Sequence, residues 1–466
     1  MKNTRLFLAT IFTGLLFVAC SDDDDQPATP GVSVSVTQDT FGEGDGIVTL
    51  TFSTTDTFAT DVVLTYEVSG SATEGEDFTL LLGTLTLGAG ESTVTQDFVL
   101  NDDDIVEESE EIIITLTDVS GASGFISSNN SVTITITDND SFAFENGILV
   151  LHEGNFFGGN ASVSFVSEDL SSVTNGIFND INGGALGDVA QSMAFDGDLA
   201  YIVVNNSQKV EVVNRFSFES VGTVDMGLTN PRYMTFANDK GYVTNWGDGS
   251  NPDDDYVAVI DLANLTVEST IPVPEGPEWI VNNGNTLYVA HQGGFNQNNI
   301  VSVIDAATNT AGDAITVADR PNSMQLVNDE LWVLSGGNPA FTGNETAGQL
   351  DKIDISTNTV TATLAFTQTD HPNFLSVDGS SLYYLLNGSV FKMDVSDTAL
   401  PTTAEITGVA FYDMTVNDGN LYGVDAKDFA SNGSLEIYDL SDNSLTESLD
   451  VSIIPGGVYF NGAFSF

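Results

Sequence analysis

The chain of 466 residues carries 67 acidic side chains against 10 Lys and Arg residues, a formal net charge of −57, and 41% of its residues are hydrophobic. So much apolar sequence supports two or more cores of ordinary domain size and excludes a disordered acidic tail. A phosphate backbone would repel such a chain, which excludes nucleic acid as a partner. No Lys or Arg lies between Arg5 and Lys209, and this asymmetry favours bound divalent cations in the N-terminal half.

The first residues have the pattern of an export signal. Lys2 and Arg5 precede an apolar run, LFLATIFTGLLFVA, that ends at Ala19 directly before Cys20. The run is too short to cross a bilayer comfortably as a helix. Cys20 is the single cysteine, so no intrachain disulfide can form, and we expect its thiol to carry a lipid.

This stretch resembles a bacterial lipoprotein signal, with Phe17 at a position where the pattern usually has Leu. The SDDDD that follows resembles the acidic flag that directs some Gram-negative lipoproteins to the outer face of the outer membrane, and its alternative interpretation is a solvated linker. The resemblance implies a signal peptide with lipidated Cys20 over 1–20, a surface-export linker over 21–30, and a surface-exposed lipoprotein anchored by lipid in the outer membrane.

Residues 31–140 predict an antiparallel β-sandwich. Apolar and polar residues alternate in seven short runs separated by Gly, Asp, Asn and Ser: VSVSV, IVTLTFS, VVLTYEV, GTLTL, VTQDFVL, IIITL and VTITIT. A period of two indicates strands with one buried face, and a succession of such strands is typical of a sandwich.

The acidic residues of this region are concentrated in four segments: GEG at 42–44, GED at 75–77, NDDDIVEESEE at 101–111 and DND at 138–140. If successive strands alternate in direction, all four segments meet at one pole of the sandwich. Carboxylates at that density repel one another unless a hard cation lies among them, and Ca²⁺, with about six to eight flexible oxygen ligands, fits best. The alternative is that so acidic a chain forms acidic loops by chance.

The stretch from Val32 to Asp140 resembles the Calx-beta family in GEGDG, SATEGEDF, GAGES, DDDIVEESEE and the closing TITDND. The resemblance implies a calcium-binding immunoglobulin-like sandwich. Asn139 replaces an acid found in some members, which leaves the number of ions open. The motifs assign the calcium ligands to Glu43, Asp77, Asp102, Asp103, Glu107, Glu110, Asp138 and Asp140.

Residues 145–466 contain a repeat of about 45 residues that predicts a seven-bladed β-propeller. A first strand element recurs as QSMAFDG, PRYMTFAND, PEWIVNNG, PNSMQLVND, PNFLSVDG, YDMTVNDG and PGGVYFNG. A second recurs as ILVLHEG, AYIVVNN, GYVTNWG, LYVAHQG, LWVLSGG, LYYLLNG and LYGVDAK, and a third ends in Asp, as in VAVIDLA. The region opens on a second element and closes on a first, so the termini are expected to complete one blade, which favours a closed ring over a solenoid.

The loops before each first strand and after each second strand are expected to open around one propeller mouth. The rarest residue types collect there, including all 3 histidines. Such a mouth suits a bulky, polar, partly anionic organic ligand, because aromatic faces stack and sparse donors orient it; alternatively, these residues only plug the mouth or satisfy loop backbone groups. The predicted ligand-binding residues are His152, Asn155, Arg232, Asn245, Trp246, Trp279, His291, Arg320, His371 and Tyr412, with Phe156, Phe157, Phe295, Gln292 and Asn387 nearby.

The propeller resembles YncE-like, YVTN-type surface propellers. Its ILVLHEGNF, PRYMTF and GYVTNWG segments are similar to surface lipoproteins that capture cobalamin for a TonB-dependent transporter. The resemblance implies capture and hand-over of a corrinoid or a related small organic ligand, without chemistry. The sandwich ahead of the propeller departs from the simple capture proteins, so a different ligand or a docking role stays open.

The sequence lacks the common catalytic motifs: it has no GxSxG, phosphate-binding Gly-Lys-Ser loop, HExxH or CxxC. We therefore expect no enzyme. One alternative is a calcium-dependent adhesion or protein-interaction lipoprotein without a small-molecule ligand. Another is a calcium-assisted propeller hydrolase, for which Glu153, Glu278 and Asp425 lie near the predicted mouth.

Overall fold

The computed structural model describes residues 29–465. The predicted signal peptide, Cys20 and most of the acidic linker lie outside these residues. The chain divides into two compact units, with the boundary between Asp140 and Ser141. In the described part, no helix has the length and apolar character needed to cross a membrane.

The first unit consists of two β-sheets, as the alternating pattern predicts. The strands are β1 (Gly31–Ser35), β2 (Thr40–Gly42), β3 (Ile47–Thr54), β4 (Val62–Gly70), β5 (Thr84–Leu87), β6 (Thr93–Val99), β7 (Glu110–Ser120), β8 (Phe125–Ile126) and β9 (Ser131–Thr137). One sheet has the order β6-β3-β1-β8 and the other β2-β9-β7-β4-β5. The alternation prediction omits β2 and β8, which have three and two residues and pair in parallel with β9 and β1. Strands this short carry no readable alternation.

Alternate residues of each strand form the sandwich core. On β3, Val48, Leu50 and Phe52 are fully buried, whereas Ile47 is 66% exposed. Strands β4, β7 and β9 contribute their own alternate residues to the same apolar cluster. At about 25 cal/mol per Å² of buried apolar surface, such residues stabilise the sandwich and fix the register, since a slip by one position would expose them. A single turn of 3₁₀-helix at Glu43–Asp45 precedes β3.

The second unit consists of seven antiparallel sheets, which confirms the predicted seven-bladed propeller. The first blade has the order β12-β11-β10-β38, and in every other blade the strands follow chain order from the innermost outward. The strands are β10 (Gly147–His152), β11 (Ser162–Ser167), β12 (Val173–Asn175), β13 (Ala190–Asp196), β14 (Leu199–Val204), β15 (Lys209–Asn214), β16 (Ser220–Val224), β17 (Pro231–Ala237), β18 (Lys240–Asn245), β19 (Tyr256–Asp261), β20 (Thr266–Pro272), β21 (Pro277–Asn283), β22 (Thr286–His291), β23 (Ile300–Asp305), β24 (Thr310–Ala311), β25 (Ile315–Thr316), β26 (Pro321–Val327), β27 (Glu330–Ser335), β28 (Gln349–Asp354), β29 (Thr359–Ala365), β30 (Asn373–Asp378), β31 (Ser381–Leu386), β32 (Ser389–Asp394), β33 (Ile406–Thr407), β34 (Asp413–Asn417), β35 (Asn420–Asp425), β36 (Asn432–Asp439), β37 (Ser444–Ile453) and β38 (Pro455–Asn461).

The ring closes through its last strand, as the phase of the repeat predicts. Strand β38 pairs antiparallel with β10, from Gly147 opposite Asn461 to His152 opposite Pro455. The innermost strands contact one another in the sequence β38, β13, β17, β21, β26, β30, β34 and back to β38. Closure of this kind leaves no free inner edge that could pair with another chain. The only full turn of α-helix in the described chain, α1 (Ile177–Asn182), follows β12.

The aspartates that end several third strands have a local structural role. The Asp261 carboxylate accepts hydrogen bonds from the backbone N–H groups of Ala263 and Asn264. Asp394 accepts equivalent bonds from the side chain and backbone of Ser396, and also one from Ser380. These bonds stabilise the charged carboxylate and lower the pKa of Asp394 to about 2. The recurrent Asp is therefore a turn signal at the end of the third strand in five of the seven blades.

Candidate functional site

Two clusters of carboxylates lie at one pole of the sandwich, as the strand directions predict. Oxygen atoms of Glu43, Asp138 and Asp140 lie within 4.8 Å of one another, and so do those of Asp77, Glu107 and Glu110. The backbone N–H of Glu107 donates to Asp138 Oδ2 at 2.7 Å, which ties the two clusters together. The structure thus brings six of the eight predicted ligands into two compact groups.

The remaining two predicted ligands lie beside these clusters. The Asp102 carboxylate accepts a hydrogen bond of 3.2 Å from the side-chain amide of Asn139. Asp103 is exposed, caps its own loop by accepting from the Ile105 N–H, and repels both Glu43 and Glu107. Sequence reasoning did not assign Asn101 or Glu108, which line the same small cavity as Asp77 and Asp138.

Burial and mutual repulsion penalise the charged state of this pole. Burial, contact with Asp140 and repulsion from Asp138 raise the pKa of Glu43 to about 7. Burial and the neighbouring Asp77 raise the pKa of Glu110 to about 7 as well. Glu43 is only 6% exposed, and its Oε1 makes no hydrogen bond within the described chain. Buried carboxylate oxygens without donors are a suitable environment for a hard cation.

The propeller mouth is built by irregularities at the start of the innermost strands. The pairing register shifts between Pro231 and Met234, between Pro277 and Ile280, and comparably in β13, β26 and β30. A β-bulge adds a residue to one strand and redirects its side chains. The side chains next to these bulges point into one central cavity.

The central cavity has a volume of about 370 Å³ and receives residues from all seven innermost strands. Its size is in the range of small-molecule sites. The predicted residues Arg232, Trp279 and Tyr412 lie on its wall. Three residues that the sequence places near the mouth also line this cavity: Glu153, Glu278 and Gln292. Sequence reasoning did not single out the other wall residues, although most of them follow the Pro or small polar residue that opens a first strand: Gln191, Tyr233, Asn322, Ser323, Asn373, Phe374, Leu375, Asp413, Met414 and Gly456.

A bidentate ion pair links two blades at the cavity wall. Arg232 Nε donates to Glu278 Oε2 at 3.0 Å, and its terminal nitrogen donates to Oε1 at 2.7 Å. The side chains are 15% and 6% exposed. The guanidinium also lies 4.1 Å from the ring centre of Trp246, whose Nε1 donates to the Pro277 carbonyl. Trp246 therefore lies behind the cavity wall and positions Arg232.

The opposite part of the wall carries two further acids. The Tyr412 hydroxyl donates to Glu153 Oε2 at 2.9 Å, and the Met414 N–H donates to Asp413 Oδ1 at 2.8 Å. Burial raises the pKa of Glu153, and burial followed by repulsion from Glu153 raises that of Asp413 to about 7. With three acids and one arginine, the central cavity favours neutral or cationic groups of a ligand over anionic ones.

A second cavity of about 160 Å³ adjoins the first. Arg320 and His371, both predicted at the mouth, line it, together with Gln292, Asn322 and Asn373, which also belong to the central cavity. His371 Nδ1 donates to the Gly336 carbonyl at 2.7 Å, and its Nε2 lies 3.5 Å from Glu345 Oε1. The two cavities therefore share a wall of amide side chains.

The expectation that every histidine lines the mouth is wrong, because two of them are buried inside blades. His152 Nε2 is 2.7 Å from Ser164 Oγ, and His291 Nε2 is 2.8 Å from Ser302 Oγ; neither imidazole is exposed. Burial lowers the pKa of His152 to about 3 and that of His291 to about 4. Both residues end a second strand, a position that faces the adjacent third strand.

Two predicted amides also lie away from the cavities. Asn245 is fully buried, accepts from the Thr229 N–H and donates to the Val243 carbonyl. Asn155 is exposed and donates to the Phe429 carbonyl, linking the loops of two blades. Asp425 caps a turn by accepting from the Lys427 N–H. These side chains satisfy backbone groups, as the alternative interpretation of the mouth proposed.

The fold and the sites together define an all-β protein with a Calx-beta-type sandwich and a propeller that carries a small-molecule-sized cavity. Residues 23–140 match the model of the Calx-beta domain. Residues 146–452 match the model described as "Domain of unknown function (DUF5074)", and the chain belongs to this family. No curated protein matches the sequence.

Solved structures resemble this chain at low sequence identity. A functionally unknown protein from Desulfotomaculum acetoxidans DSM 771 has a TM-score of 0.53 at 14% identity, over 69% of this chain and 100% of that chain. Dihydro-heme d1 dehydrogenase NirN in complex with DHE has a TM-score of 0.45 at 14% identity, over 69% and 77% of the two chains. Kuenenia stuttgartiensis hydrazine synthase has a TM-score of 0.42 at 17% identity, over 56% and 86%. Identities this low concern the fold alone.

Proposed function

We propose that the propeller captures a bulky, polar organic ligand of corrinoid-like chemistry and passes it to a TonB-dependent outer-membrane transporter, without catalysing a reaction. The central cavity, to which every innermost strand contributes, is the observation that carries this proposal. The aromatic faces of Trp279 and Phe374 provide stacking surfaces, and the Gln191 amide provides orienting hydrogen bonds. Similarity to the cobalamin-capturing lipoproteins, noted for the ILVLHEGNF, PRYMTF and GYVTNWG segments, supports a corrinoid as the first ligand to test.

Titration calorimetry of the full chain with cobalamin tests the proposal. The double variant Trp279→Ala/Phe374→Ala is expected to weaken binding at least about tenfold, because it removes two apolar contact surfaces. Leu445→Ala, on the outermost strand β37 and 50% exposed, is the matched control and should bind as the wild type does. Absence of binding heat with corrinoids, haem and glycans would overturn the capture function.

We further propose that the two carboxylate clusters of the sandwich hold calcium. The residues fit the ion: each cluster offers three carboxylates within 4.8 Å, and Asp140 Oδ2, like Glu43 Oε1, is buried without a hydrogen-bond partner. A bound ion supplies positive charge that offsets the repulsion among these groups. Glu43, Asp138 and Asp140 would hold one ion, and Asp77, Glu107 and Glu110 another, with Asp102 and Asp103 adjacent.

We propose that Cys20 is lipidated and that this anchor displays both domains on the outer membrane. The apolar run before Cys20 and the SDDDD after it support this location. Incorporation of a labelled fatty acid should occur in the wild type and be lost in Cys20→Ser. Equal labelling of the two proteins would contradict the anchor.

A calcium-dependent adhesion or protein-interaction role is the second candidate, favoured by exposed aromatic side chains. Five phenylalanines lie in loops that join second to third strands, where all are 48–84% exposed: Phe156, Phe157, Phe295, Phe341 and Phe429. Exposed apolar groups of this size are typical of contact with a macromolecule. If adhesion is the function, calcium chelation should abolish cell attachment while Trp279→Ala/Phe374→Ala leaves it unchanged.

A further inference from the structure

Arg320 is the one cation among residues 29–465 that has neither a carboxylate nor an aromatic partner. Five of the eight Lys and Arg residues in this range form ion pairs, and Arg215 and Lys392 lie over aromatic rings. The Arg320 guanidinium forms no ion pair with any described carboxylate, and burial lowers its pKa. In a chain with 67 acidic residues, a half-buried arginine without a counter-ion is a group held available for an external anion.

The backbone holds Arg320 firmly at this position. Its φ of 59° is in the left-handed region, which is unfavourable for a residue with a side chain. Its N–H donates to the Asn298 carbonyl at 2.7 Å, and its own carbonyl accepts from Gly336 at 2.9 Å. The adjacent acid, Asp319, accepts hydrogen bonds from Asn338 and Thr346 and forms no ion pair with Arg320. The arginine is thus oriented by two neighbouring loops.

The side chains around Arg320 connect it to the central cavity. Gln292 lines both cavities, and its side-chain amide makes no hydrogen bond within the described chain. Asn322 and Asn373 form the rest of the shared wall and are hydrogen-bonded to each other at 3.1 Å. A ligand that fills the central cavity can therefore extend a group past Gln292 to Arg320.

We infer that Arg320 and Gln292 form a subsite for an oxyanion, a phosphate or a carboxylate, carried by the ligand of the central cavity. The inference rests on the proposed capture function and adds an orientation to it. The central cavity has Glu153, Glu278 and Asp413 against one arginine, whereas the second cavity contains an unpaired arginine. The neutral or cationic body of the ligand therefore lies in the centre, and its anionic group lies on Arg320.

Calorimetric titration of the full chain with cobinamide and cobinamide phosphate, which differ by one phosphate, tests this subsite. The phosphate form is expected to bind the wild type at least about tenfold more tightly, since charge-assisted hydrogen bonds are the stronger class. Arg320→Gln should abolish that difference, and Arg320→Lys should retain part of it. Lys392→Gln removes the same charge from an exposed site outside both cavities and is the matched control.

A preference for the phosphate form that persists in Arg320→Gln would overturn the subsite while leaving ligand capture intact. If neither corrinoid binds, the capture proposal fails, and titration of inorganic phosphate and acetate against wild type and Arg320→Gln decides the subsite alone. Heat with either anion that is lost in the variant supports it and identifies which oxyanion is preferred, whereas heat that is the same in both proteins, or absent in both, refutes it. Should Arg320→Gln fail to fold, Gln292→Leu serves in its place.

Discussion

At the scale of single residues, the buried polar groups of the propeller divide into structural and cavity-facing sets. His152 and His291 hydrogen-bond to serines of the adjacent strand and are shielded from solvent. Arg232 and Glu278 are largely buried too, but they form part of the central cavity wall. Burial alone does not distinguish the sets; the distinction depends on which strand position each residue occupies.

The buried histidines should make the stability of the propeller pH-dependent. The folded pKa of His152 is about 3, below its ordinary value of 6.5, so the unfolded chain takes up the proton first. The contribution of this histidine to the free energy of unfolding is fully present above pH 6.5. It falls as the pH falls, by at most about 1.4 kcal/mol per pH unit for one histidine. Urea unfolding at pH 7 and pH 4.5 should show a smaller loss for His152→Gln than for wild type. His291→Gln provides an independent test of the same effect. If both variants lose as much stability between pH 7 and pH 4.5 as the wild type does, the interpretation is contradicted.

Removing only one partner of the Arg232–Glu278 pair should lower the free energy of unfolding strongly. Arg232→Met leaves the Glu278 carboxylate buried without its partner, which is expected to lower the free energy of unfolding by about 3 kcal/mol. Arg232→Met/Glu278→Gln should recover most of that loss. The control Lys240→Met breaks a pair whose side chains are 33% and 34% exposed and should lose less than about 1 kcal/mol. Equal losses for the two single variants, measured by urea unfolding, would show that burial is not the cause.

At the scale of strands, the bulges at the start of the innermost strands connect the fold to the cavity. A regular pairing would direct alternate side chains into the neighbouring blades. The extra residue after Pro231 or Pro277 instead directs the side chain of Arg232 or Trp279 into the central cavity. The blade architecture therefore supplies the site without any long insertion.

Closure of the ring by β38 can be tested by changing the position of that strand in the sequence through circular permutation. Asn461 lies opposite Gly147, so a short linker can join the end of β38 to the start of β10. A circular permutant of the propeller that begins at Pro455 and ends at Ile454 keeps every strand pair of the ring, and we expect it to fold with a melting temperature close to that of the wild-type propeller. Deletion of 455–466 exposes the inner edge of β10 and is expected to cause aggregation. Circular dichroism and size-exclusion chromatography distinguish these outcomes, and a soluble, folded deletion variant would contradict strand closure.

At the scale of the whole molecule, the two units differ in what they depend on. The propeller packs its blades through buried second strands such as β14, β18 and β22. The sandwich has one apolar core but carries the acidic pole, whose charges oppose folding unless a cation is present. Calcium should therefore act on one unit and not on the other.

Scanning calorimetry of the full chain should show calcium raising the sandwich transition by about 10 °C or more, because binding at 100 times the Kd adds about 2.7 kcal/mol. The propeller transition is the internal control and should not move. In chelator, the sandwich of Glu43→Gln and of Glu110→Gln should melt at a higher temperature than that of the wild type, because each substitution relieves repulsion among the carboxylates. Calcium should raise the melting temperature of these variants by less than it raises that of the wild type. A sandwich transition that is insensitive to chelation would refute the site.

The sequence alone determined the two all-β architectures, the ring closure and the grouping of the acidic segments at one pole. Each depends on a local period, on the order of repeats or on strand direction, and these are readable along the chain. Only the tertiary structure decided which mouth residues face a cavity. His152 and His291 lie inside blades, whereas Asp413 and Asn322 line the central cavity, because bulges and blade packing set side-chain directions. Such contacts join residues far apart in sequence, and no local pattern encodes them.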